Sequence, residues 1–381
     1  MLTEAHSPSL SDRLERRARK VDAERPAALL RERLAQGCWV YGAGGYGLLA
    51  VRTLQAAGFP VRGLVDRRAA DPAFAAAQPV PAVAPEALDA AMSAGTVLVV
   101  GVHNFAADPA PIHAWAATRG FADMIVPAEL PDAIGAAMAS YWLTGRDHVR
   151  AHLDAIERVA GLLADDTSRA VLEGVAAFRL TADHGTHPAS HLPSQYFPAD
   201  VPLTREPLRL IDGGAFTGDA WPALRDSGRS LAEWYAFEPD PANFAALAAT
   251  ARDADVAQAA LFPCGLGERA EQIRFAAGEA AGSHAAESGD IVVQVVALDE
   301  VLPRVSPNYV KLDIEGAERA AIAGMRATIE RARPAIAMSI YHRPEDLWEL
   351  PLLAHTLLPE ARLYIRQHGH NGFDTVLYAV P

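Results

Sequence analysis

The chain is short of several features that mark specialised protein classes. It holds two cysteines in 381 residues, Cys38 and Cys264, far apart in sequence. Neither a disulfide framework nor a cysteine metal site follows, and a reducing cytoplasm is the natural compartment. No apolar run approaches the roughly 18 residues of a membrane helix. The opening stretch MLTEAHSPSLSDRLERRARK also lacks the apolar core of a signal peptide. Positive charge is scarce: 34 Lys and Arg face 47 Asp and Glu, a net charge of −13. A general nucleic-acid binder needs a basic face to neutralise phosphates, so that class is disfavoured. The expectation is a soluble cytoplasmic protein with no membrane and no nucleic-acid partner.

What is present is apolar and patterned. Half the residues are hydrophobic, enough for a sizeable core, and the length allows two or three domains. The organising stretch is Leu208 to Asp219, LRLIDGGAFTGD. An apolar strand ends in Asp212 and runs through Gly213 and Gly214 into a helix. Glycines let a backbone approach a ligand, and the helix start aims free N–H groups at it. The next strand, Trp234 to Phe237, ends in Glu238, where an acid can accept both ribose hydroxyls of a nucleoside. The ligand expected here is a nucleoside cofactor.

A second turn of this kind stands near the front. The strand Cys38 to Tyr41 leads into Gly42-Ala43-Gly44-Gly45-Tyr46-Gly47, which fits G-x-G-x-x-G, and a later strand ends in Asp66. Gly42, Gly44, Gly47 and Asp66 are therefore a second candidate nucleotide site. Arg67 and Arg68 follow directly and could neutralise Asp66. This first fold reads as about four strands, with His103 and Asn104 at a strand's carboxyl end.

The organisation expected is leading helices over 1–36, a Rossmann-like domain over 37–130, a helical connector and loop over 131–205, and a catalytic domain over 206–381. In the connector, His148 to Leu163 has the spacing of one helix. His184, His187 and His191 fall in a loop broken by Gly185 and Pro188, which argues against a shared metal site. Gln195 and Tyr196 are expected to offer substrate contacts from a loop over the neighbouring site. A two-stranded excursion is expected at 272–275 and 291–296.

In the last half, the strand ends are Asp212, Glu238, Cys264-Gly265, Asp313, His342 and His368. Ligands bind outside the carboxyl edge of an open α/β sheet, so these groups converge on one rim. The segments LIDGGAFTGD, YAFEPDPANFAAL, ALDEVL, YVKLDIEGAERAAIAGM, RPAIAMSIYHRPEDLWELP and TVLYAVP resemble the FkbM family of S-adenosylmethionine-dependent methyltransferases. The resemblance covers Leu208 to Pro381, and the domain in front looks like a longer variant of the family. It implies an α/β fold, a class I methyltransferase seven-stranded sheet whose last strand is antiparallel, preceded by a small Rossmann-like parallel sheet. It also implies S-adenosyl-L-methionine as the cofactor. Asp212, Gly213, Gly214, Ala215, Phe216, Gly218 and Asp219 should cradle its methionine part, Glu238 its ribose, and Asp240, Cys264 and Gly265 its adenine.

Methyl transfer from a sulfonium is an in-line displacement, and a hydroxyl acceptor must also lose a proton. His342 is the first candidate for the base, because imidazole titrates near neutrality, and Asp313 is the second. Tyr341 and His368 are candidates for substrate contact. Lys311 shares a face with Asp313, which suggests a structural ion pair. Glu315 and Glu318 are placed at a helix N-terminus. No paired-acid motif completes a metal shell, so no metal is assigned. The function expected is O-methylation of a sugar, nucleotide-sugar or other polar metabolite. The alternatives are an NAD(P)-dependent oxidoreductase built on GAGGYG, or a non-catalytic cofactor-binding module. Beyond a small-molecule acceptor, a homo-oligomer is left open.

Overall fold

A computed structural model describes residues 8–190, 194–203, 206–276, 284–285 and 291–381. The chain divides into two compact units. The first comprises 1–157, 172–188 and 369–373, and the second 158–171, 189–368 and 374–381.

In the first unit, the leading helix Leu10–Glu24 opens on a capping box. The Ser9 hydroxyl accepts from the N–H of Asp12, and the Asp12 carboxylate accepts from the N–H of Ser9. These bonds satisfy amides that the first turn leaves free. Leu10, Leu14 and Ala18 are buried at helical spacing, so one stripe faces the core. The sheet holds five strands: β1 (Cys38–Tyr41), β2 (Val61–Val65), β3 (Ala82–Val83), β4 (Val97–Val100) and β5 (Asp123–Ile125). Their order is β3-β2-β1-β4-β5, all parallel. The sequence suggested about four strands. The additional β3 spans two residues, too short to carry an alternating pattern. The helix expected over His148 to Leu163 is also broken, into Arg146–Arg150 and Leu153–Leu162.

The second unit is built on a seven-stranded sheet. Its members are β6 (Leu208–Gly213), β7 (Leu231–Phe237), β8 (Gln258–Phe262), β13 (Tyr309–Leu312), β14 (Ala335–Ser339), β15 (Arg362–Gln367) and β16 (Thr375–Val380). The order is β15-β16-β14-β13-β6-β7-β8. β16 runs antiparallel to both β14 and β15, as the short return at the C-terminus requires. Strands β6 and β13 are buried almost throughout, as in a parallel sheet covered on both faces, although each carries a charged residue inside, Asp212 and Lys311. This is the α/β, two-sheet Rossmann-like architecture expected.

Between β8 and β13 the chain forms a second small sheet rather than a two-stranded excursion. Strands β9 (Gly265–Leu266), β10 (Glu271–Ala276), β11 (His284–Ala285) and β12 (Ile291–Val296) take the order β11-β10-β12-β9. The two extra members are two-residue strands, again below the reach of periodicity. Register positions the site. Lys311 pairs with Asp212 and Leu312 with Gly213, so β6 and β13 end level. The strand order reverses between β6 and β13, which is where such sheets open a crevice.

Candidate active site

The turn after β6 is held by the chain itself. The N–H groups of Gly214 and Ala215 both donate to the Phe237 carbonyl at 3.0 Å. Gly214 has φ +69°, and a Cβ there would lie 1.8 Å from the carbonyl oxygen of Asp313. The sequence argument assigned this glycine to ligand approach. What it first permits is close approach of the β6 turn to the end of β13.

Glu238, at the end of β7, accepts from the N–H of Phe216 on one oxygen and of Asp240 on the other, each at 2.8 Å. The glycine turn and the terminal acid are thus one hydrogen-bonded unit. Burial raises the Glu238 pKa, against the amides of Asp240 and Phe216 and against Lys311. Asp240 caps the helix Pro241–Asp253 through the N–H groups of Ala242 and Asn243. Cys264 is buried beside Gly265, and burial pushes its thiol up to about 11.

Lys311 pairs with Asp212 on the neighbouring strand, at 3.2 Å, with both side chains essentially inaccessible. The sequence had linked it to Asp313, on its own strand. Its ammonium also donates to the carbonyls of Gly213 and Gly214. Burial lowers the affinity of Lys311 for its proton, but Asp212, Asp219 and Asp313 outweigh burial and hold it charged. Trp234 donates its indole N–H to the other Asp212 oxygen at 3.1 Å.

On the far side of β6, the ends of β13 and β14 bring together a cage of acids around one imidazole. His342 Nδ1 lies 2.8 Å from Glu318 Oε1, and Nε2 lies 3.2 Å from Asp313 Oδ1 and 3.8 Å from Glu315 Oε2. Burial disfavours charge on His342, but Glu318, Asp313 and Glu315 outweigh burial and raise its pKa well above the ordinary value. The expectation of a histidine titrating near neutrality therefore changes: His342 rests as a cation, because three carboxylates surround it. Burial alone would raise the pKa of Asp313. The His342 and Lys311 charges and the Tyr196 hydroxyl reverse this and hold it well below the usual carboxylate range. Glu315 is pushed up to about 8, by burial against His342 and with repulsion from Asp313 and Glu318. Asp374, buried nearby, is pushed up to about 7 by burial and by Asp313, against hydrogen bonds from Tyr341 and Gln195.

Tyr196 meets this cage directly, donating its hydroxyl to Asp313 Oδ2 at 2.6 Å and accepting from Gln195 Nε2 at 2.9 Å. The Tyr341 ring packs on His342, with centroids 4.3 Å apart. His368 sits elsewhere: its Nε2 lies 2.9 Å from the Tyr378 hydroxyl, which in turn accepts from the N–H of Tyr196. His368 therefore supports Tyr196 from behind. His184 and His187 belong to the first unit, where their rings pack on Phe178. His191 lies outside the described residues.

Sequence reasoning missed two members of the site. Glu318 was assigned to a helix start, yet it is 1% exposed, and Oε1 accepts from the N–H of Ile314 and faces His342. Asp374 was not singled out. A signal existed for Glu318: it lies two residues past Gly316, close behind a strand-end acid. Nothing local marks Asp374, which is brought in by the antiparallel return of β16.

In the first unit, Asp66 accepts from the N–H of Ala43 and from the backbone N–H, Nε and Nη2 of Arg68. The acid in the ribose position thus has its own guanidinium partner. Gly42, at φ +104°, packs on Gly101, and a Cβ on Gly47 would lie 2.0 Å from the Gly42 carbonyl oxygen, while the space above Gly44 is open. His103 is buried among Tyr46, Trp142 and Phe373, and burial, then His184, drops its pKa to about 3. Asn104 caps its loop by accepting from the N–H groups of Ala106 and Ala107.

Residues 212–371 match the family model described as the methyltransferase FkbM domain. A solved structure, described as the crystal structure of methyltransferase FkbM from Methylobacillus flagellatus KT, is similar to the chain. The likeness covers 97% of this chain and 99% of that one, with a TM-score of 0.78 and 22% identity, and at that identity it bears on the fold. No curated protein matches the chain. Among the described residues, no helix is long and apolar enough to cross a membrane.

Proposed function

We propose that this chain, which carries a methyltransferase FkbM domain over residues 212–371, moves a methyl group from S-adenosylmethionine to a hydroxyl oxygen of a sugar, nucleotide-sugar or other polar metabolite. The observation that carries this reading is the pairing of the β6 turn with Glu238. The carboxylate that would take the ribose is tied at 2.8 Å to the amide of Phe216, in the turn that would hold the methionine end. Asp212, Gly213, Ala215, Gly218 and Asp219 belong to the same turn. Asp240 and the Cys264-Gly265 turn continue it toward an adenine. The cofactor is a sulfonium cation, and a rim rich in carboxylates suits it electrostatically.

The acceptor belongs on the side of Asp313, Tyr196 and Tyr341. Holding oxygen, methyl carbon and sulfur in line supplies on the order of 7–11 kcal/mol of the barrier. The proton then goes to the Asp313–His342 pair, with the roles redistributed from those the sequence suggested. As the new C–O bond forms, the hydroxyl becomes an oxonium, far more acidic than a carboxylic acid. Asp313, anionic and hydrogen-bonded by Tyr196, can take that proton although its own basicity is low. His342 keeps Asp313 anionic and oriented.

Calorimetric titration with S-adenosylmethionine and with NAD(P) tests the reading. Wild type should bind the sulfonium cofactor, and Glu238→Ala should lose it while Asp66→Ala does not. Binding of NAD(P) but not of S-adenosylmethionine by wild type would replace this function with an oxidoreductase.

A further inference from the structure

One ligand atom from each of Asp313, Glu318 and His342 lies within 4.8 Å of the other two. A cation held at about 2.0–2.4 Å from each donor needs separations of this size. Asp313 directly follows β13, Glu318 is the first residue of the helix Glu318–Gly324, and His342 lies three residues past the end of β14. Their surroundings are those of a held ligand set. The Ile314 amide orients Glu318 at 3.0 Å, and the Tyr196 hydroxyl orients Asp313 at 2.6 Å. Metal-binding carboxylates are commonly positioned by such outer hydrogen bonds.

A second observation concerns the other oxygen of Glu318. Glu318 is 1% exposed, and its Oε2 forms no hydrogen bond among the described residues. A buried carboxylate oxygen left without a donor is costly, and a cation would satisfy it. Glu315 Oε2 lies 3.8 Å from His342 Nε2 at the same rim.

We infer that Asp313, Glu318 and His342 bind a divalent cation at the acceptor end of the site, the metal displacing to solvent the proton that His342 otherwise carries. Two carboxylates and an imidazole suit Mn²⁺ or a similar first-row ion better than Ca²⁺, which prefers an all-oxygen shell. The location at the acceptor end rests on the methyltransferase reading, and the binding itself does not. In that setting the cation would polarise the acceptor hydroxyl and make its proton easier to remove.

The test is titration of chelator-treated full-length protein with MnCl₂ alone, followed by calorimetry and by pulsed electron paramagnetic resonance of the bound Mn²⁺. Wild type should bind saturably at one site, with hyperfine coupling to an imidazole nitrogen. His342→Asn should abolish that coupling, and Glu318→Gln and Asp313→Asn should each weaken binding at least tenfold. Circular dichroism identifies any variant that fails to fold, and the other two then decide. No saturable binding by folded wild type overturns the inference, as does unchanged affinity in the folded variants. Titration of S-adenosylmethionine in the same samples separates the two ideas. Cofactor binding without Mn²⁺ binding removes the cation alone, and Mn²⁺ binding without cofactor binding removes the methyltransferase reading alone.

Discussion

Tyr196 donates its hydroxyl to Asp313 at 2.6 Å, across 117 positions of sequence. The tyrosine sits at φ +68°, a conformation that L-residues seldom adopt. It is held there from both sides, its N–H donating to Tyr378 and its carbonyl accepting from Tyr309. Backbone strain fixed by surrounding structure is a recurrent property of functional sites. Tyr196→Phe should lower stability by about 1–3 kcal/mol, since a hydrogen bond to a charged group is lost. It should also raise the proton affinity of Asp313. Denaturant unfolding measures the first effect, and the pH profile of methyl transfer the second. An unchanged profile would place Tyr196 outside the chemistry.

The Lys311–Asp212 pair gives a sharper stability prediction. Lys311→Met leaves the inaccessible Asp212 carboxylate without its cation, which costs roughly 3–5 kcal/mol. Lys311→Met combined with Asp212→Asn should recover much of that loss, because no unpaired charge stays buried. Urea denaturation of the two variants reads the difference. Equal destabilisation in both would mean that shape, not charge, dominates there.

Two glycines in similar turns should respond in opposite ways. In Gly214→Ala the new methyl would overlap the Asp313 carbonyl at positive φ, so the variant should unfold or lose cofactor binding. In Gly44→Ala the methyl meets nothing within 4 Å and φ is −84°, so stability should change by less than about 1 kcal/mol. Thermal melts of both suffice.

Acid should act on the first unit through Asp66. Burial opposes its ionisation, but the bonds from Arg68 and Ala43 win and lower its pKa to about 2. A depressed carboxylate contributes stability that is complete above its unfolded value and is lost as pH falls through the folded one. Between about pH 4 and pH 2, wild type should therefore lose more stability than Asp66→Asn. Parallel slopes in that window would remove the contribution.

Burial pushes the Cys38 thiol up to about 12 and that of Cys264 up to about 11. Neither should react with a thiol reagent at pH 8 until the protein unfolds. Rapid labelling of the native chain would contradict this, and labelling that tracks denaturation would support it.

The strand-turn-helix units were legible because they are local. LRLIDGGAFTGD carries its strand, its turn and its helix start within one stretch, and the acid at Glu238 follows at the next strand end. The antiparallel last strand, which the family resemblance implied, fits the short connection between β15 and β16. The strands β3, β9 and β11 were not, because two residues hold no period. The cage around His342 was half legible. Strand ends pointed to Asp313 and His342, but the charge state of His342 also follows from Glu318 and Glu315, and that of Asp313 from Lys311 and Tyr196, whose convergence is tertiary. The same limit hid the partner of Lys311, which depends on the register of β13 against β6.

Arg68 gives the front turn a consequence of its own. A side chain tethered two residues from Asp66 is a permanently present competitor, with an effective local concentration set by a very short connection and reaching the millimolar range or above. Any nucleoside arriving at Asp66 must displace this internal ligand before its ribose can bind. The front sheet thus carries the outline of a nucleotide site together with an occupant that never diffuses away.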